Sequence, residues 1–201
     1  MNSIYLNEYM NAFERVLSVG YKLDYSTKAI ERLISCSDYF QRIEEDKTGF
    51  PPMINDSEII DTLFSEITEQ ITDVPVYNQC LWAAESYLRI QESSKLSFEA
   101  IFLYIPIKKM YEYFDLYHEM DFSQIIGRFN KLYKDKSVLS ILIDSFGYSM
   151  KDISKKYQIS YETLNSFKQR KRDIRKANIS TIVKLSKILH VRIETIAEIE
   201  L

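Results

Sequence analysis

The sequence predicts an all-α protein in two parts, an acidic helical bundle over residues 1–135 and a basic helical module over residues 136–201. Three observations carry this prediction. Apolar side chains recur at steps of three and four along most of the chain, the periodicity of helices with one buried face. Four Gly and four Pro in 201 residues are too few for a hairpin-rich fold. The charges also separate: residues 1–135 carry thirteen Lys and Arg against twenty-two Asp and Glu, a net of −9, whereas residues 148–192 carry twelve against three, a net of +9. The overall charge of −3 conceals both.

The first helix is expected over Ser3 to Val19, where Tyr5, Leu6, Tyr9, Met10, Phe13, Val16 and Leu17 line one face. After Gly20, the stretch Ser26 to Ile43 repeats the pattern with Ile30, Leu33, Ile34 and Phe40, and KTGFPP at 47–52 breaks it. Asp56 or Ser57 can cap a further helix carrying Ile59, Ile60, Leu63, Phe64, Ile67 and Ile71. Pro75 suits the first turn of the next, because its missing N–H would be unpaired there in any case. That helix carries Cys80, Leu81, Ala84, Tyr87 and Leu88. Ser97 opens another with Glu99 in its first turn, and Pro106 interrupts it so that the following aromatic segment starts on a new axis. Asp121 then caps a helix with Phe122, Ile125, Ile126, Phe129 and Leu132. The polar segment 131–137, KLYKDKS, is the expected junction and lacks the Gly, Pro and Ser of a flexible linker.

In the basic part, Lys136 to Phe146 reads as a supporting helix with Val138, Leu139, Leu142 and Ile143 apolar, ending at Gly147. Ser149 with Asp152 makes a variant capping box for a short helix whose Ile153 and Tyr157 face inward. Ile159 fills an apolar turn position, and Ser160 caps a second short helix that buries Leu164 and Phe167. Helix, tight turn, helix and basic exit are the grammar of a helix-turn-helix DNA reader, in which residues near the start of the second helix reach base edges in the major groove. Those residues are Tyr161, Glu162, Thr163 and Ser166. Glu162 suits a cytosine amino group, and Tyr161 a thymine methyl or a phosphate. Lys151, Ser160, Lys168, Gln169, Arg170, Lys171, Arg172, Arg175 and Lys176 form the expected phosphate-binding set, since a loop of this charge density repels itself unless an anion is near.

The segment ISKKYQISYETLNSFKQRKR, followed by LSKILHVRIETI, resembles the lambda-repressor-like family of Cro/C1 or Xre-type helix-turn-helix domains over residues 136 to 200. The resemblance implies five helices in this third of the chain. Ser154 stands where the family has a small Ala, Gln158 where it has the turn Gly, and Arg170 where a Gly follows the recognition helix. Met150 stands where the family often places a phosphate-binding Gln, a contact that the run KQRKR can replace.

Other chemistry finds little support. Cys36 and Cys80 are far apart and outside any CxxC or Cys/His cluster, which predicts two buried thiols and no zinc site. Of the two histidines, His190 sits at a helix end in a capping or packing role, and around His118 only the pairs Asp115–Glu119 and Asp115–His118 have usable spacing for a metal. No Gly-rich phosphate loop, GxSxG or HExxH occurs, so no catalytic residue, metal or cofactor is expected. No apolar run approaches the roughly 18 residues of a membrane span, and MNSIYLNEYM lacks the profile of a signal peptide, which predicts a cytoplasmic protein. The expected function is a DNA-binding transcriptional regulator, a repressor acting as a homodimer on double-stranded DNA. The alternative is an antitoxin or immunity-type protein whose acidic bundle, residues 1–135, binds a protein partner while the basic module controls its own operon.

Overall fold

The computed structural model describes residues 3–22, 25–45 and 77–198. Within them the chain forms twelve α-helices and one 3-10 turn, with no strand. It divides into two compact units, one ending at Gly127 and the other beginning at Arg128.

The helices of the first unit are α1 (Ser3–Lys22), α2 (Thr27–Cys36), α3 (Asp38–Glu44), α4 (Tyr77–Ser94), α5 (Phe98–Tyr104) and α6 (Ile107–Tyr117). α1 packs on α4, α4 on α5 and α6, and α2 on α3, α5 and α6. Helical spacing brings Phe13, Phe40, Tyr87 and Phe98 into one fully buried cluster. The Phe13 ring lies 5.0 Å from Phe40 and 5.3 Å from Phe98, both edge-on, and is stacked at 5.8 Å from Tyr87. Burying each such ring contributes about 2–3 kcal/mol. The Tyr87 hydroxyl, which burial would otherwise leave unpaired, donates to the Ile105 carbonyl at 2.8 Å.

Two glutamate carboxyl groups, Glu44 buried and Glu31 half-buried, fasten consecutive helix starts. A helix leaves its first N–H groups without partners, and its dipole favours a negative charge there. Glu44, only 1% exposed, accepts from the Phe98 N–H of α5 at 2.5 Å. Glu31 accepts from the Ile107 N–H of α6 at 2.6 Å. Ser97 and Pro106 occupy the N-cap positions of these two helices, and the Ser97 hydroxyl accepts from the Ala100 N–H.

Three expectations need correction here. α1 continues through Gly20 to Lys22. The helix expected over 26–43 is broken at Ser37, which is extended (φ −75°, ψ 127°) and whose N–H closes α2 on Leu33 and Ile34. Ser35, Cys36, Ser37 and Asp38 are residues that compete poorly for helix interior, so the apolar period persists while the axis stops. Cys36 is exposed at the end of α2, whereas Cys80 is buried as expected. The break at 47–52, the helix with Asp56, Ser57 and Ile59 to Ile71, and Pro75 all lie outside the described residues.

The division between the units falls inside α7 (Ser123–Asp135), whose start is held by the Asp121 carboxylate accepting from the Ser123 N–H at 2.8 Å. The second unit continues with α8 (Val138–Phe146), α9 (Met150–Tyr157), α10 (Tyr161–Lys168), a 3-10 turn at Ile174–Lys176, α11 (Ile179–Leu189) and α12 (Ile193–Ala197). α8 is central: α10, α11 and α12 all pack on it, while α9 packs on α10 and α11 on α12. Its core holds Val138, Leu139, Leu142, Ile153, Ile159, Leu164, Phe167, Leu185, Leu189 and Ile196, each 5% exposed or less. α8 ends in a Schellman motif, with Gly147 left-handed (φ 65°), its N–H on Asp144 O and the Tyr148 N–H on Ile143 O at 3.2 Å.

Candidate nucleic-acid interface

Two eight-residue helices joined by a short turn form the outer part of the second unit. α9 starts at Ser149, whose hydroxyl accepts from the Lys151 N–H at 3.2 Å. It ends at Gln158, which takes the left-handed conformation (φ 55°, ψ 44°) although it is not glycine. The next N–H, of Ile159, then returns to the Ser154 carbonyl at 3.2 Å, and the Ile159 side chain seals the turn at 5% exposed. Ser160 stands at the N-cap of α10 and its carbonyl accepts from the Leu164 N–H at 3.0 Å. Its hydroxyl makes no capping bond, contrary to expectation. Ile153, Leu164 and Phe167 are buried, while Tyr157 is only half-buried, with the Lys156 ammonium 5.4 Å over its ring.

The four residues expected to read bases divide in two. Tyr161 and Glu162, in the first turn of α10, are exposed, and Tyr161 is 45% accessible despite its apolar ring. Thr163 and Ser166 are half-buried, and the Ser166 hydroxyl donates to the Glu162 carbonyl at 2.7 Å within the helix. The outward surface at the start of α10 is therefore an aromatic ring beside a carboxylate.

The expected phosphate-binding set divides as well. Lys151, Ser160, Gln169, Lys171, Arg172 and Lys176 are exposed. The Arg172 guanidinium lies 5.7 Å over the Phe167 ring, and Gln169 donates to the Asn165 carboxamide at 3.1 Å. Three cations have carboxylate partners. Lys168 reaches Asp144 at 2.8 Å and holds that carboxyl below its usual range. Arg175 reaches Asp173 at 3.1 Å with the same effect. Arg170 turns back into the unit: its guanidinium donates to the Tyr133 carbonyl and to Glu198 at 2.9 Å, and lies 4.2 Å over the Tyr133 ring. The basic run is thus not one uniform surface.

The exit of α10 is held on the far side by α8. The Ser137 hydroxyl accepts from the Ser140 N–H, capping α8, and donates to the Lys168 carbonyl at 2.8 Å. That takes up one of the carbonyls α10 leaves unpaired at its C-terminus. The partnership of Tyr133, Arg170 and Glu198 escapes sequence reasoning, because residues 65 apart share no local period.

Among the described residues, no group of three or more His, Cys, Asp and Glu side chains is placed to hold a metal ion. His118 stacks on Phe114 at 4.4 Å, with Nδ1 2.8 Å from the Phe114 carbonyl. His190 is the left-handed C-cap of α11. No described helix is long and apolar enough to cross a membrane. Compared with models of known protein families, with curated proteins and with solved structures, the chain finds no match.

Proposed function

We propose that the chain is a sequence-specific DNA-binding transcriptional regulator, a repressor whose α9 and α10 act as a lambda-repressor-like helix-turn-helix. The observation that carries this reading is the exposure of Tyr161 and Glu162 at the start of α10 together with Lys171 and Arg172 just beyond its end, in a segment of net charge +9. α10 lies in the major groove, where Tyr161 packs on a thymine methyl and Glu162 accepts from a cytosine amino group. Lys151, Lys171, Arg172 and Lys176 neutralise phosphates and fix the register. The Arg170 guanidinium is instead engaged with Tyr133 and Glu198. A homodimer on a palindromic operator doubles these contacts, and occupation of the operator blocks transcription without further chemistry.

The test is retention of genomic DNA fragments by the full chain at two salt concentrations, with sequencing, beside a Lys171→Ala, Arg172→Ala variant. Enrichment of one inverted repeat, weakened by salt and lost in the variant, is the expected result. Retention without any preferred site would refute sequence-specific regulation.

A second reading has an observation of its own. Leu116 and Met120 are 63% and 53% exposed in the first unit, among Glu112, Asp115, Glu119 and Asp121. This supports an antitoxin- or immunity-type role in which the acidic part engages a basic protein.

A further inference from the structure

We propose that Glu198 acts as a positioning residue for the phosphate-binding loop, holding it through Arg170; this inference rests on the DNA-binding reading above. The loop leaves α10 at Arg170, which is left-handed at φ 51° although it is not glycine. Such a conformation is unfavourable for a residue with a Cβ and persists where the surroundings over-determine it. Here the backbone closes a Schellman cap, with the Arg170 N–H on the Phe167 carbonyl at 3.0 Å and the Lys171 N–H on the Ser166 carbonyl at 2.9 Å, and the Arg170 side chain adds a tertiary anchor to it.

Its guanidinium bridges the Tyr133 carbonyl at the end of α7 and the Glu198 carboxylate beyond α12. The Glu198 side chain is 12% exposed and both of its oxygens are engaged. Oε2 accepts from Arg170 at 2.9 Å and from the Tyr133 hydroxyl at 2.8 Å, and Oε1 accepts from the Val138 N–H, at the start of α8, at 3.0 Å. One carboxylate thus joins the end of α7, the start of α8 and the exit of α10. Immediately after Arg170, the N–H groups of Lys171 and Arg172 both return to the Ser166 carbonyl, at 2.9 and 3.3 Å. Their side chains are exposed. Turning one arginine of the run inward fixes the backbone from which the next two cations extend, so that their ordering cost is met before DNA arrives.

Charge alone predicts the reverse of this proposal. Glu198 is an acid in a basic unit, so removing it should raise the attraction to DNA. Held by geometry, the loop should instead bind less well without it. The experiment measures binding of the full chain to a mixed-sequence duplex across a salt series, for the wild type, Glu198→Ala and Arg170→Lys. We expect Glu198→Ala to bind about tenfold more weakly, with a salt slope lower by about 1. Arg170→Lys, which keeps the charge but loses the two-pronged contact, should weaken binding in the same direction. Hydrogen exchange should quicken at the Lys171 and Arg172 amides while α11 stays protected, a local change that general destabilisation would not produce.

Equal or tighter binding by Glu198→Ala with an unchanged slope overturns the proposal. If that variant does not fold, Arg170→Lys decides, and wild-type binding by it overturns the proposal equally. Absence of salt-dependent binding by the wild type removes the DNA reading and this inference together, whereas wild-type binding with indifferent variants removes the inference alone.

Discussion

Gln158, Arg170, His190 and Glu198 all hold left-handed backbone in the second unit, each at the end of a helix or short helical turn and none of them glycine. A residue with a Cβ gives up about 1–2 kcal/mol there. At Gln158 the side chain is exposed, so Gln158→Gly should raise stability by about 0.5–1 kcal/mol after the entropy of glycine in the unfolded chain is set against the gain. A urea midpoint that stays level or falls would contradict this. Glu31 supplies a pH dependence in the first unit. Burial pushes its carboxyl up to about 7, against the smaller opposing effects of the Ile107 N–H and Lys28. Because the folded value lies above the unfolded one, the unfolded chain releases this proton first. The stabilisation is therefore complete below about pH 4.5 and is lost as pH rises through 7. Glu31→Gln keeps an acceptor for Ile107 without the charge, so its advantage over the wild type should grow from pH 4.5 to pH 8, reaching about 1–3 kcal/mol. A constant difference across that range in paired thermal melts would rule out Glu31 as the titrating group.

At the scale of elements, local chemistry was the best guide. Ser97, Pro106, Asp121 and Gly147 each mark a boundary because the signal is a property of one residue and its nearest backbone: a hydroxyl or carboxylate that accepts, a missing N–H, a freely left-handed φ. Ser97→Ala removes the acceptor of the Ala100 N–H in a site only 1% exposed, so α5 should lose about 1–2 kcal/mol, which chemical denaturation would register. The break at Ser37 was illegible for a complementary reason: Phe40 keeps the apolar period of Ile30, Leu33 and Ile34 across the interruption, and periodicity reports a buried face rather than a continuous axis. In the candidate interface, the outward Tyr161 and Glu162 and the inward Leu164 and Phe167 followed from that same period. The inward course of Arg170 did not, since its partners come from positions 133 and 198.

Over the whole molecule, the separation of charge into an acidic and a basic stretch was visible in the sequence and is the broadest basis for the functional proposal. It also yields the sharpest test of that basis, because net charge and local charge make different forecasts. Lys171→Ala with Arg172→Ala changes the formal charge from −3 to −5, and so does Lys108→Ala with Lys109→Ala on exposed positions of α6. If the protein meets DNA merely as a charged body, both pairs should weaken binding alike. Phosphate neutralisation is instead a contact effect: each cation seated on a phosphate contributes about 0.9 to the slope of affinity against salt. The first pair should therefore lower the salt slope by nearly 2, while the second leaves both slope and affinity at wild-type values in the same titration. Equal losses from the two pairs would show that the basic run acts by its contribution to total charge, and the assignment of Lys171 and Arg172 as phosphate ligands would have to be withdrawn.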